Sequence, residues 1–259
     1  MWFFVSDLHG SLDRYRALLT ATRAERPEAV LIGGDLLPSA GIFRQPTPDT
    51  PVDFFGEFLA PELETLRDEM GDAYPRWVVI LGNDDPRAEE ATVLALADRG
   101  LLDYTHMRRV DVGGVPIYGY GCVPPTPFPH KDWEREEATI QGDVQELIGD
   151  DDPGGAVLLF HTPPHRTTLD RAALDRAARD GVPLDVHVGS KAVQRFIEER
   201  QPRLTLHGHI HESARMTGAW SDCIGDTVCL SAAHHGPELA LVSFEPGCPA
   251  DATRRLVEG

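Results

Sequence analysis

Short apolar runs rich in β-branched and aromatic residues recur along the chain at Trp2–Val5, Ala29–Ile32, Trp77–Leu81, Val157–Phe160, Leu204–Leu206, Thr227–Leu230 and Leu239–Phe244. Runs of this length and composition read as strands. Between them the apolar positions take helical spacing. Leu12, Tyr15, Leu18 and Leu19 share one face behind Ser11, which is placed to cap the helix, and Phe54, Phe55, Phe58, Leu59, Leu63 and Leu66 repeat the spacing. Val93–Ala97, Trp133–Ile148 and Ala192–Ile197 are predicted helical as well. Strands alternating with helices predict a layered α/β fold with largely parallel strands. The stretch Val110–Val112, Gly113-Gly114, Val115–Tyr118 predicts a hairpin, so the sheets are expected to be mixed.

Two Pro-rich segments, Pro38–Pro51 and Gly119–His130, read as long loops and as walls of a substrate pocket. After the last apolar run, Pro246, Gly247 and Pro249 predict a loosely packed tail from Glu245 onward. No internal repeat interrupts the pattern, and residues 1–259 read as a single domain.

Composition narrows the partners. With 41% hydrophobic residues in 259 the chain can bury a sizeable core. A formal charge of -18 argues against a grip on long nucleic acid or an anionic membrane surface, and favours a small substrate. The four cysteines, Cys122, Cys223, Cys229 and Cys248, form no Cys-x-x-Cys pair, which points to a reducing cytoplasm. Asp7 and His9 break the apolar N-terminus too early for a signal peptide, and no stretch approaches the roughly 18 apolar residues of a membrane span. A soluble, cytoplasmic protein is expected.

The strand ends carry the chemistry. Asp7-Leu8-His9-Gly10 follows the first run, Gly34-Asp35 the second, Gly82-Asn83-Asp84-Asp85 the third; His161 and Gly208-His209-Ile210-His211 follow two later ones. Ligands bind at the carboxyl ends of strands in open α/β sheets, so these distant residues can converge. Their oxygen and nitrogen donors, with no thiolate among them, suit a pair of divalent ions that share one ligand and leave positions open for water and substrate.

All five pieces in this order resemble the calcineurin-like metallophosphoesterases. The stretches Tyr118–Phe128 (YGYGCVPPTPF), His161–Thr168 (HTPPHRTT), His187–Val193 (HVGSKAV) and His207–Ser213 (HGHIHES) are similar to the Icc-related predicted phosphoesterases within that group. The resemblance implies a four-layer αββα sandwich of two mixed sheets flanked by helices. It also implies a first metal bound by Asp7, His9 and His211, a second bound by Asn83, His161 and His209, and Asp35 bridging them. Mn²⁺ is the expected ion, and Fe, Zn²⁺, Co²⁺ and Ni²⁺ suit the same donors.

The implied activity is hydrolysis of a small or nucleotide-like phosphodiester by a metal-bridging hydroxide. A phosphomonoesterase is the runner-up. A scaffold with a vestigial site is disfavoured because every ligand position holds a competent residue. The departure from pattern is Asp84, where relatives carry His or, in the Icc-related group, Cys. Asp84 serves as a general acid only if its pKa rises well above about 3.9, which adjacent cations oppose. His234, in His234-His235-Gly236, is the other candidate proton donor. Ser190 and Lys191, opening a helix, are candidates to receive a substrate anion, as are Asn83 and His165. His106, His130, His187 and His207 read as structural.

Overall fold

The computed structural model describes residues 1–38, 51–127, 131–172 and 186–259. Most of Pro38–Pro51 and the end of the second Pro-rich segment, including Pro129 and His130, lie outside those residues.

Twelve strands are described: β1 (Trp2–Val5), β2 (Ala29–Gly33), β3 (Arg76–Ile80), β4 (Asp103–Tyr104), β5 (Arg108–Val112), β6 (Val115–Tyr120), β7 (Val157–Phe160), β8 (Leu204–His207), β9 (Ser221–Ile224), β10 (Thr227–Ser231), β11 (Leu239–Phe244) and β12 (Thr253–Val257). They form two six-stranded sheets in the orders β12-β11-β1-β2-β3-β4 and β5-β6-β7-β8-β10-β9. Both are mixed, as expected: β1, β2, β3 and β4 run parallel and so do β6, β7, β8 and β10, with antiparallel pairs at the edges.

The sheets face each other. Trp2, Phe4, Leu31, Val78, Ile80 and Val242 from one pack against Ile117, Val157, Leu159, Leu204, Leu206 and Leu230 from the other. The alternate residues, such as Phe3, Val5, Val30 and Ile32, pack beneath helices on the outer side. Burial on both faces is why these strands read as continuous apolar runs. Helices α1 (Leu12–Glu25), α2 (Ala60–Met70), α3 (Glu90–Asp98), α4 (Glu137–Ile148), α5 (Lys191–Arg200) and α6 (Ser213–Thr217) complete the sandwich.

Ser11 caps α1, its hydroxyl accepting from the Arg14 N–H. Gly113 and Gly114, at φ 56° and 82°, make the two-residue turn between β5 and β6, the backbone that favours glycine at both central positions.

Three expectations need correction. Residues 133–136 are not helical: α4 starts at Glu137, and Trp133 is instead fully buried against His106, their rings 4.8 Å apart. Gly119 and Tyr120 close β6 rather than opening a loop. The segment after Glu245 is not a loose tail, because Thr253–Val257 pairs antiparallel with β11 and extends the first sheet. Its breakers serve a turn leading into an edge strand.

Candidate metal centre

The loops after β1 and β2 are tied backbone to backbone. Asp7 N–H donates to the Gly34 carbonyl (3.0 Å), His9 N–H to Asp35 (2.8 Å) and Gly10 N–H to Leu36 (2.8 Å). Asp7, His9, Asp35 and His209 have φ of 56°, 46°, 53° and 72°, the left-handed region that costs a non-glycine residue on the order of 1 kcal/mol or more. Three bent turns therefore aim these side chains at one point. Gly82 permits the approach of the β3 loop: a methyl there would lie 2.8 Å from the His161 ring and closer still to Asp35.

The side chains that meet are those expected at the strand ends. Ligand atoms of Asp7, His9, Asp35 and His211 all lie within 4.8 Å of one another, a cluster able to hold a metal ion. His9 Nε2 faces His211 Nε2 at 3.1 Å, and His211 Nε2 is 3.2 Å from Asp7 Oδ1. Beside it, His161 Nε2 is 3.0 Å from Asn83 Oδ1 and 3.4 Å from Asp35 Oδ2, and the His209 ring lies 5.2 Å from that of His161. His161 Nδ1–H donates to the Gly33 carbonyl (2.6 Å), which turns Nε2 toward the cluster. Asp35 Oδ2 is also 3.8 Å from His9 Nε2, so this carboxylate stands between the two groups.

The electrostatics ask for cations. Asp7 and Asp35 are buried, which alone would raise their carboxyls, yet His211 beside the first and His161 beside the second hold both well below the usual carboxylate range. Burial pushes His9 down to about 4 and His209 to about 3, leaving neutral imidazoles at pH 7. Burial would do the same to His161, but Asp35 and Asp7 lift it to about 9, and Asp7 likewise raises His211. Without metal, protons on these two imidazoles balance the two carboxylates. Two imidazole nitrogens converging at 3.1 Å, one neutral at pH 7, and a buried His9 Nδ1 with no hydrogen bond among the described residues complete a donor set that fits divalent ions.

Metal uptake should therefore move protons. Ligands must be deprotonated, so at pH 7 divalent-ion binding should release about one proton from His161, and His211, whose proton Asp7 also stabilises, shifts the release in the same direction. Affinity should climb as pH rises and level off above about 9, where His161 has already lost its proton. Calorimetry in buffers of different ionisation enthalpy measures the release; none at pH 7 would contradict this charge balance.

The remaining expected residues fall elsewhere. Asp84 donates its N–H to Asp35 Oδ1 (2.8 Å), and its carboxylate pairs with the Lys131 ammonium. That geometry speaks against Asp84 as a proton donor. His234 Nε2 pairs with Glu238 at 3.0 Å. His165 Nδ1 lies 3.6 Å from Asp170 Oδ2 and its ring lies 5.9 Å from that of His187, whose Nδ1–H donates to Asp170 Oδ1 (2.7 Å). Ser190 caps α5, and Glu137 accepts from the Ser190 hydroxyl and from the N–H groups of Lys191 and Ala192. A carboxylate of the protein itself thus sits at the helix start that the sequence offers to a substrate anion at Ser190 and Lys191. His207 donates Nδ1–H to the Thr162 carbonyl (2.9 Å) and packs behind His161.

Three site residues escape the sequence reading. Arg14, buried on α1, donates to the main-chain carbonyls of Asp7, His234, Gly236 and Pro237, clamping one loop to another. Asp85 accepts from the N–H groups of Leu36, Leu37 and Gly82, and burial together with Asp35 pushes its carboxyl up to about 7. The third is Lys131, whose one sequence signal is rarity: the 24 basic residues comprise 22 Arg and 2 Lys.

Comparison with known proteins gives the class of this two-sheet sandwich with a His/Asp cluster at its strand ends. The profile of the calcineurin-like phosphoesterases matches residues 3–213, and the chain belongs to that family. An uncharacterized protein of Methanocaldococcus jannaschii, MJ1162, is 36% identical over 76 residues, and the match spans 29% of this chain and 29% of that relative. The crystal structure of TT1561 of Thermus thermophilus superposes with a TM-score of 0.62 at 15% identity, covering 99% of this chain and 98% of that one. Another crystal structure gives the same TM-score at 17% identity over the same shares. At these identities the likeness is one of fold. No helix among the described residues is long and apolar enough to cross a membrane.

Proposed function

We propose that the chain is a dinuclear phosphodiesterase acting on a small or nucleotide-like phosphoester. Asp7, His9 and His211 would hold one divalent ion, Asn83, His161 and His209 the other, and Asp35 both. The observation that carries this reading is the position of Asp35, whose Oδ2 lies 3.4 Å from His161 Nε2 and 3.8 Å from His9 Nε2. When bound, the ions would acidify a water for attack on phosphorus and neutralise phosphoryl charge. Mn²⁺ is the first choice, with Fe, Zn²⁺, Co²⁺ and Ni²⁺ compatible with the same oxygen and imidazole donors.

The formal charge of -18 supports a small substrate over a long nucleic acid or a membrane surface.

Metal-stripped protein should regain hydrolysis of bis(p-nitrophenyl) phosphate on addition of Mn²⁺, and should hydrolyse it faster than p-nitrophenyl phosphate. A monoester preference would move the assignment to a phosphomonoesterase. Full activity after metal removal would refute the site.

A further inference from the structure

Lys131 stands at the rim of the cluster, and the segment that carries it is built against the Asn83–Arg87 turn. Trp133, fully buried, donates its indole N–H to the Asp85 carbonyl (2.9 Å). Arg87 N–H donates to Asp132 Oδ2 (3.0 Å), and its guanidinium lies 4.6 Å above the Trp133 ring. Val123 N–H donates to Trp133 and accepts through its carbonyl from Arg135 N–H, both at 2.9 Å. A lysine on a segment pinned in this way is not a freely wandering surface charge.

Its ammonium pairs with Asp84 Oδ1, the oxygen that also accepts from the Asn83 side-chain amide (3.2 Å). The other oxygen of Asp84 is 3.8 Å from His9 Nδ1. One carboxylate therefore holds Lys131 beside residues from both halves of the cluster. The Lys131 and Asp84 side chains are each 22% exposed, sheltered yet open to a solute. Arg14, the other cation described at the site, is spent on backbone carbonyls behind it. A compact ammonium with three donors can keep Asp84 and still accept a further partner.

We propose that Lys131, oriented by Asp84, is the residue that meets the departing ester oxygen of the substrate. This rests on the phosphodiesterase reading above. In that step the water oxygen bonds to phosphorus and its proton passes to solvent. The ester P–O bond breaks, its electron pair stays on the departing oxygen, and the ammonium offsets that charge through a hydrogen bond until solvent protonates that oxygen to the alcohol. Lys131 is unchanged at the end. The Asp84–Lys131 pair in this way provides a cation at a position where aspartate alone would repel the developing charge.

The test uses the full chain reconstituted with Mn²⁺ and a series of methyl aryl phosphodiesters whose leaving phenols rise in pKa. Charge on a good leaving group needs little help, so K131M should lose only about 3-fold in kcat/KM with p-nitrophenol but about 100-fold with unsubstituted phenol. Its plot of log kcat/KM against leaving-group pKa should be steeper than that of the wild type, with metal content and Tm unchanged, and K131R should recover most of the slope. A K131M plot parallel to the wild type, whether displaced or superimposed, overturns the role and leaves Lys131 a structural partner of Asp84. A loss that tracks reduced metal content does the same. A wild type that turns over no member of the series refutes the phosphodiesterase reading itself, and this role with it.

Discussion

Replacing Asp35 with alanine is expected to lower kcat/KM on bis(p-nitrophenyl) phosphate by about 10³-fold or more, with loss of bound metal. The size of the effect comes from the residue's position. Its Oδ2 lies within 4 Å of His9 and His161, one from each proposed ion site, and its Oδ1 accepts the Asp84 N–H that sets the β3 loop. Asp35→Asn keeps the shape and removes the charge, so it should fall nearly as far while circular dichroism stays that of the wild type. Metal analysis on the same samples separates lost ligation from lost chemistry. Full activity in the alanine variant would remove Asp35 from the centre.

Arg14→Met is expected to cost about 3 kcal/mol of stability, a fall in Tm of roughly 6–12 °C for a domain of this size. Arg14 is 3% exposed and donates to four carbonyls, on Asp7, His234, Gly236 and Pro237. Methionine fills much of the volume and satisfies none of them, and an unsatisfied buried carbonyl costs about 1–3 kcal/mol before water or relaxation offsets part of it. Because Asp7 carries a side chain of the cluster, Mn²⁺ affinity should drop as well, by about 10-fold or more. Thermal scans and Mn²⁺ titration of the variant check both; a Tm within a degree of the wild type would show that the clamp is not structural.

These two residues differ in how visible they are before the fold is known. Asp35 announces itself: it follows Gly34 at the end of an apolar run, and such strand ends converge in a parallel sheet. Asp7, His9, Asn83, His161, His209 and His211 are legible for the same reason. The central strands β1, β2 and β7 are legible because burial on both faces leaves them unbroken by polar residues. Arg14 gives no such signal. Its residue type predicts exposure, and only the arrival of the loop after β10 supplies three of its four acceptors. Glu137 is hidden likewise, because a carboxylate that caps a helix from another element leaves no local pattern, and the start of α5 then looks like an empty anion site. β12 is hidden because Thr253–Val257 is an edge strand with three of five residues exposed, so its burial writes no apolar run. Lys131 depends on Trp133 reaching Asp85 across the fold, a contact between segments 48 positions apart.

The antiparallel pairing of β1 with β11, in which Phe4 lies opposite Val242, also bears on how the chain is made. During synthesis the strand that leads into Asp7 leaves the ribosome long before the neighbour that covers its free edge, with most of the two sheets between them. At ordinary elongation rates that interval is on the order of ten seconds to a minute. Throughout it, Trp2–Val5 presents an apolar edge with unpaired backbone groups, the kind of surface on which nascent chains associate with one another. A chain that stopped before Leu239 would keep that edge uncovered for good, so late truncation should show itself first as aggregation in the cell.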